Sequence, residues 1–270
     1  MKKYLNFMFL AVITLAIASC GNEEPRLNND EENDSIPATG PGSGSGSGNS
    51  EVLLMTVMEM VGENTITFEY DSKNRLTRNV HSAGTIIEYK YNGNGHVSTI
   101  LAKEMNGRIS LREDFTYGKD GKPISKVATV YNKEENYIVD SKYVFSDNKL
   151  VVTNIPRTDE EEKYITTEEY VYNKKNLTSL SFGLNGKIHS VFTMSEHDNN
   201  PSAGLYGGAL HWIPSNNNVL REQLVSPAGN HDYTFKYTYN KQGYPTKQLK
   251  YNTGSDVVVG QTNYSYRPAN

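Results

Sequence analysis

The stretch 87-IEYKYNGNGHVSTI-100 decides the fold. Ile87, Tyr89 and Tyr91 alternate with Glu88 and Lys90, a period of two that puts apolar and charged side chains on opposite faces of an extended chain. Asn92-Gly93-Asn94-Gly95 follows, residue types that tolerate the positive φ of a tight hairpin turn. A second apolar run then begins at Val97. The stretch therefore reads as strand, turn and strand, with the aromatics on the buried face.

The same pattern recurs at 66-ITFEYDSKNRLTRNV-80, 113-EDFTYGKDGKPISKV-127, 142-KYVFSDNKLVVTNI-155, 169-EYVYNKKNLTSLSF-182 and 235-FKYTYNKQGYPTKQL-249. The anchors Tyr70, Tyr91, Tyr117, Phe145, Tyr172 and Tyr239 lie 21, 26, 28, 27 and 67 residues apart. A weaker copy, 190-SVFTMSEHDNNPSAG-204, falls in the long gap with Val191 and Thr193 in alternation, and 262-TNYSY-266 supplies a last strand. A repeat of this length is one supersecondary unit stacked on its neighbours. Six or seven hairpins predict an all-β antiparallel meander of about 13–15 strands. Accumulated twist and the hazard of open edges predict a sheet curled or closed into a barrel. The turn glycine is missing at 146-SDNK-149 and 173-NKKN-176, which leaves those two turn types open.

The chain ahead of the repeats reads as export and tether. Met1-Lys2-Lys3 and the apolar run 5–19 form a signal peptide over residues 1–19, too short for a spanning helix. The motif 15-LAIASCG-21 resembles the lipobox of bacterial lipoproteins, which implies acylation of Cys20, the only Cys of the chain. One Cys leaves no internal disulfide. Residues 20–50 are the acylated Cys and a flexible tether, acidic at 28-NNDEEND-34 and Gly/Ser-rich at 40-GPGSGSGSGNS-50. Gly21-Asn22-Glu23-Glu24 resembles the surface-export signal of a group of Gram-negative gut and oral anaerobes. It implies an outer-membrane lipoprotein displayed at the surface, the alternative being retention on the periplasmic face. Asp34-Ser35-Ile36 matches the O-glycosylation pattern of the same group, at Ser35.

Residues 51–270 form a single β-hairpin-repeat domain. Its copies resemble the Tyr-Asp repeats of large bacterial surface proteins. With the lipoprotein start and the Asn200-Pro201 break, they are similar to a family of bacterial lipoproteins with Tyr-rich hairpin repeats. That resemblance implies a porin-like barrel and no particular activity. A membrane pore is nevertheless disfavoured. The strand segments read as 5–8 residues against the roughly 9–11 a spanning strand needs, and mean hydropathy is −0.62.

Candidate chemistry is sparse. Net charge is −4 with no basic run, so no nucleic-acid footprint appears. The six His show no ligand spacing, and 159-DEEE-162 reads as a solvated loop, so neither metal nor cofactor is expected. No catalytic constellation is found, and the protein is read as non-enzymatic. The irregular stretch 205-LYGGALHWIP-214 holds the only Trp. Trp212, Tyr206 and His211 are the candidate ligand-binding residues, either a glycan contact through the indole face or a plug that seals the barrel end. The expected partners are the membrane through the lipid alone and a glycan or an envelope protein. The resulting reading is a non-enzymatic binding module, with a structural or partner-binding subunit of an envelope complex as the alternative.

Overall fold

A computed structural model describes residues 52–133, 135–157, 164–203 and 215–269. Sixteen antiparallel strands follow one another: β1 (Leu53–Met60), β2 (Asn64–Tyr70), β3 (Leu76–His81), β4 (Thr85–Tyr91), β5 (Val97–Glu104), β6 (Ile109–Tyr117), β7 (Pro123–Val130) and β8 (Tyr137–Ser146), then β9 (Lys149–Pro156), β10 (Thr166–Asn173), β11 (Asn176–Leu184), β12 (Lys187–Pro201), β13 (Asn217–Val225), β14 (His231–Tyr239), β15 (Pro245–Asn252) and β16 (Val258–Pro268). Each pairs with its sequence neighbour, and β16 pairs with β1 from Leu53↔Pro268 to Met60↔Thr262, so the sheet closes into a barrel. Closure leaves no free edge.

The expected all-β meander is observed, with sixteen strands where about 13–15 were expected. The extra strands come from regions where the repeat is degenerate. In β12 the inward residues are Ser190, Phe192 and Met194; the alternating Val191 and Thr193 read from the sequence lie on the other face, Val191 opposite Val225. Several strands also exceed the expected 5–8 residues, with β8 at 10, β16 at 11 and β12 at 15. Strand length therefore does not argue against a membrane span, and that question rests on the outward face.

The repeat motif explains the turns. Asn92 Oδ1 accepts hydrogen bonds from the backbone N–H of Asn94 and His96, both at 3.0 Å, and Gly95 takes a φ of 86°. Asp71 and Asn240 cap their turns in the same way, with Asn74 and Gly243 in the left-handed position. The strand register shifts by one at Tyr70, Tyr91, Tyr117 and Tyr239, the bulge such three-residue turns make. Where the glycine is absent, the chain solves the turn differently. Lys174 and Lys175 both take positive φ, 49° and 68°. A side chain with a Cβ is strained there, so Lys175→Gly should stabilise the barrel by about 0.5–1 kcal/mol. A urea denaturation midpoint that stays put or falls would count against it.

The end of the barrel that carries these turns also carries the start of β1 and the end of β16; it is called the near end here. Its interior is tightly filled. Leu76, Val97 and Leu150, the first or second residues of their strands, are buried to 0–1% exposure in the core cluster. One cluster of buried apolar residues runs from Met55 through Ile66, Phe68, Ile87, Tyr89 and Ile100 to Val152, Tyr170, Leu180 and Met194, with a smaller one at Leu111, Ala128 and Val139. Which side chains face in follows from the alternation along each strand and the register between strands.

Candidate functional site: the barrel interior and its ends

The near end is laced by side chains that reach across to neighbouring strands. Along the β3–β4 ladder, pairing stops at Arg78↔Glu88, and the Tyr91 hydroxyl donates to the Leu76 carbonyl beyond it at 2.6 Å. The hydroxyls of Tyr70, Tyr117, Tyr237 and Tyr266 do the same to the carbonyls of Met55, Val97, Val219 and Pro245, at 2.7–3.0 Å. His197 Nε2 lies 3.1 Å from the Leu177 carbonyl and takes the place of the tyrosine in β12. The repeated aromatic thus serves two purposes. Its ring fills the core and its hydroxyl satisfies a carbonyl where the strands splay.

Three of the six anchors break the rule. The Tyr239 hydroxyl donates to Asp198, while Tyr237 reaches the Val219 carbonyl in its stead. Phe145 has no hydroxyl. In β10 the ladder runs on to Val171↔Lys149, so no carbonyl is left over and the buried Tyr172 hydroxyl has no partner. This predicts a contrast. Tyr91→Phe should cost about 1–2 kcal/mol because it orphans the Leu76 carbonyl, whereas Tyr172→Phe should be neutral or stabilising. Equal losses on denaturation would refute the assignment.

Between Pro201 and Asn217 a polar clamp holds the chain. Asp198 accepts from the backbone N–H of Asn200 and Asn218, from Asn218 Nδ2 and from the Tyr239 hydroxyl. Asn176 accepts the Asn217 N–H at 2.9 Å and donates to Asn217 Oδ1 at 3.0 Å. Trp212, Tyr206 and His211, singled out from the sequence, lie outside the described residues, as do Cys20 and Ser35. The clamp residues on either side were not foreseen, although the Asn200-Pro201 and 216-NNN-218 clusters carried the signal.

Deeper in, the interior holds ionised groups that no pattern had flagged. Lys126 Nζ donates to Glu113 Oε1 at 2.6 Å, and the two side chains are 17% and 5% exposed. Burial alone would lower the Lys126 pKa, but the Glu113 carboxylate outweighs it and holds the ammonium above its usual value. Beside it, Glu168 accepts from Asn154 Nδ2 at 3.0 Å and from the Tyr170 hydroxyl at 2.6 Å, and Asn154 in turn accepts from Ser141. On the β2–β4 wall Asn64 turns its amide nitrogen to His81 Nδ1, because its oxygen accepts from Ser82 and Ala83. This leaves the proton on His81 Nε2, which is buried without a partner, like Asn79 Oδ1.

The interior is uneven. On β2 to β5 the inward residues Ile66, Phe68, Leu76, Asn79, His81, Ile87, Tyr89, Val97 and Ile100 are all buried. On β13 to β16 the inward Glu222, Tyr233, Phe235, Gln248, Lys250 and Tyr264 are only half-buried. Lys250 Nζ stands 3.7 Å from the Tyr233 ring centroid. Burial raises the Glu222 pKa, against the opposing pull of Lys250 and His231.

The outward face is charged. Glu69, Arg78 and Glu88 follow one another across β2, β3 and β4, with Arg78–Glu69 at 3.0 Å and Lys103–Glu88 at 2.6 Å. Arg112–Asp114, Lys149–Glu169, Arg157–Asp140 and Arg221–Asp232 continue the pattern around the wall. Each such pair contributes little to stability in water, about 0–1 kcal/mol. In lipid, a single Arg or Lys at the midplane of a barrel costs about 2–4 kcal/mol. Paired charges thus stand on the outward face, where a membrane barrel carries an apolar band.

The far end differs again. Of the ten large apolar residues exposed among the described residues, eight lie there: Val61, Met105, Ile109, Ile188, Val225, Val257, Val258 and Val259.

Comparisons with known proteins bear on the fold. No protein-family profile matches the chain. No curated protein matches its sequence. Among solved structures, the barrel is similar to a porin-like protein from Bacteroides vulgatus ATCC 8482 (TM-score 0.54, 13% identity, covering 79% of this chain and 99% of that one). It is also similar to a porin-like protein from Bacteroides uniformis ATCC 8492 (TM-score 0.52, 14% identity, covering 81% and 98%). At such identity the likeness is one of fold.

Proposed function

We propose that the protein is a non-enzymatic binding module of the cell envelope, a barrel that stands in water on a lipidated tether. The observation that carries this reading is the orientation of the wall: charge pairs face out, and aromatic rings face an interior that is filled on one side and accessible on the other. Such a barrel is unsuited to lipid and suited to holding a ligand against its inner wall or its end loops. Acylated Cys20 would hold it to the outer membrane, surface-exposed through residues 20–50, with Ser35 available for glycosylation. About 30 tether residues of this composition have a root-mean-square span of roughly 30 Å, enough to turn the domain in any direction.

The test uses two preparations. The lipidated chain should float with liposomes, and Cys20→Ala should not. Neither should release dye trapped in the vesicles. Dye release, or flotation without Cys20, would overturn the reading in favour of a pore.

A second reading, a partner-binding subunit, is favoured by one observation, the apolar residues gathered at the far end. Capture of a defined envelope protein that is lost in Val257→Asp and Val259→Asp would support it over ligand binding.

A further inference from the structure

We propose that the inner wall of β13–β16 is a carbohydrate site, which takes a neutral glycan through stacked rings and paired hydroxyl contacts. This rests on the binding-module reading and gives it a place and a ligand class that the loop around Trp212 does not supply.

Space comes first. Eight strands enclose an interior that side chains just fill, whereas a sixteen-strand barrel is wide enough to leave a channel. The buried residues of the apolar cluster come from β1 to β5 and β9 to β12, and Val219 of β13 and Tyr264 and Tyr266 of β16 pack against it. On β13 to β15 the inward Glu222, Tyr233, Phe235, Gln248 and Lys250 are half-buried, and because the sheet is closed their exposed surface faces the lumen.

Chemistry comes second. Tyr233 and Phe235 project inward from β14; the Tyr233 ring is stacked on His231 and faced by Lys250, so Phe235 is the ring that a ligand would meet first, beside a Tyr233 that Lys250 and His231 hold in place. Between them stand a carboxylate, an ammonium and an amide. Glu222 sits opposite Tyr233, and no described side chain donates a hydrogen bond to it. Lys250 sits opposite Phe235 on one side and Gly260 on the other, where the missing side chain leaves its stem uncrowded. Gln248 donates to the Tyr237 hydroxyl at 2.6 Å and keeps its carbonyl oxygen as an acceptor.

Together these groups select the ligand class. A purely apolar guest would strip water from Glu222 and Lys250 with nothing in return. A polyanion would meet Glu222 and a polycation would meet Lys250. A sugar offers C–H faces to the rings and hydroxyls that donate to Glu222 and accept from Lys250. The one negative and one positive charge balance, which suits a neutral chain of hexoses.

The experiment titrates the detergent-purified full chain by calorimetry with linear oligosaccharides of glucose, mannose, xylose and N-acetylglucosamine. At least one should bind saturably. Phe235→Ala and Glu222→Gln should each weaken that sugar by about tenfold or more, while Lys236→Ala on the outer face leaves it unchanged. The thermal midpoint of each variant separates lost binding from lost fold, and Lys250→Met, which keeps the stem, serves if Phe235→Ala does not fold. Binding kept in the wall variants but lost in Trp212→Ala would overturn the wall site and leave the binding module standing. No binding of any of the four sugars by the unaltered chain would overturn the carbohydrate site, and only capture of a different ligand would then sustain the binding module.

Discussion

Above about pH 10 the barrel should unfold in one steep step, with tyrosine ionisation and loss of β-structure coinciding. Burial raises the pKa of Tyr91, Tyr117, Tyr143, Tyr170, Tyr172, Tyr237, Tyr239 and Tyr264 above the ordinary 10.0. The sign follows from linkage. A group whose folded pKa is raised adds stability in full below its unfolded pKa, and that stability is lost as pH climbs above it. Each well-buried tyrosine therefore removes up to about 1.4 kcal/mol per pH unit above 10. Several acting together exhaust a fold stability of about 5–15 kcal/mol within one or two pH units. Tyrosinate absorbance and far-ultraviolet circular dichroism, followed in one titration, check this. Gradual ionisation near pH 10 with the fold intact would mean the tyrosines are in contact with water.

Removing the ammonium of Lys126 is the most damaging single change expected in the polar interior. Lys126→Met leaves Glu113, 4% exposed, as a buried charge without its partner. Such breaks cost about 3–5 kcal/mol, which lowers the melting temperature by roughly 10 °C in a domain of this size. The double change Lys126→Met with Glu113→Leu should recover most of the loss, because two apolar side chains need no solvation. Glu168 keeps its hydrogen bonds from Asn154 and Tyr170 but loses the attraction of the Lys126 ammonium, so a part of the loss remains. If the single variant loses under about 1 kcal/mol, water screens the pair and the interior there is wetter than the geometry implies.

The outward face also gives the porin-like shape its meaning for this chain. Shape alone is shared with proteins at 13–14% identity. The placement of charge is the chain's own. In the row Glu69, Arg78 and Glu88, opposite signs stand beside each other across strands, an arrangement that water tolerates and lipid does not.

The sequence by itself determined the strands, the turns and the direction in which the aromatics point. Those are local facts: a period of two sets the faces, an Asx side chain caps its own turn, and a residue of positive φ ends it. The near-end tyrosines could be read as core residues for the same reason. What only the tertiary structure decided was closure, and with it everything that depends on which strands face each other across the sheet. The count of sixteen, the tyrosine-to-carbonyl contacts, the Lys126–Glu113 pair and the half-open wall of β13–β16 all follow from register between segments. A charge at an inward position of one strand looks the same in sequence as a charge at an outward one when the bulges that shift the phase are unknown. Glu113 carries no mark of its role within the repeat, because its burial depends on Lys126, thirteen residues on and one strand away.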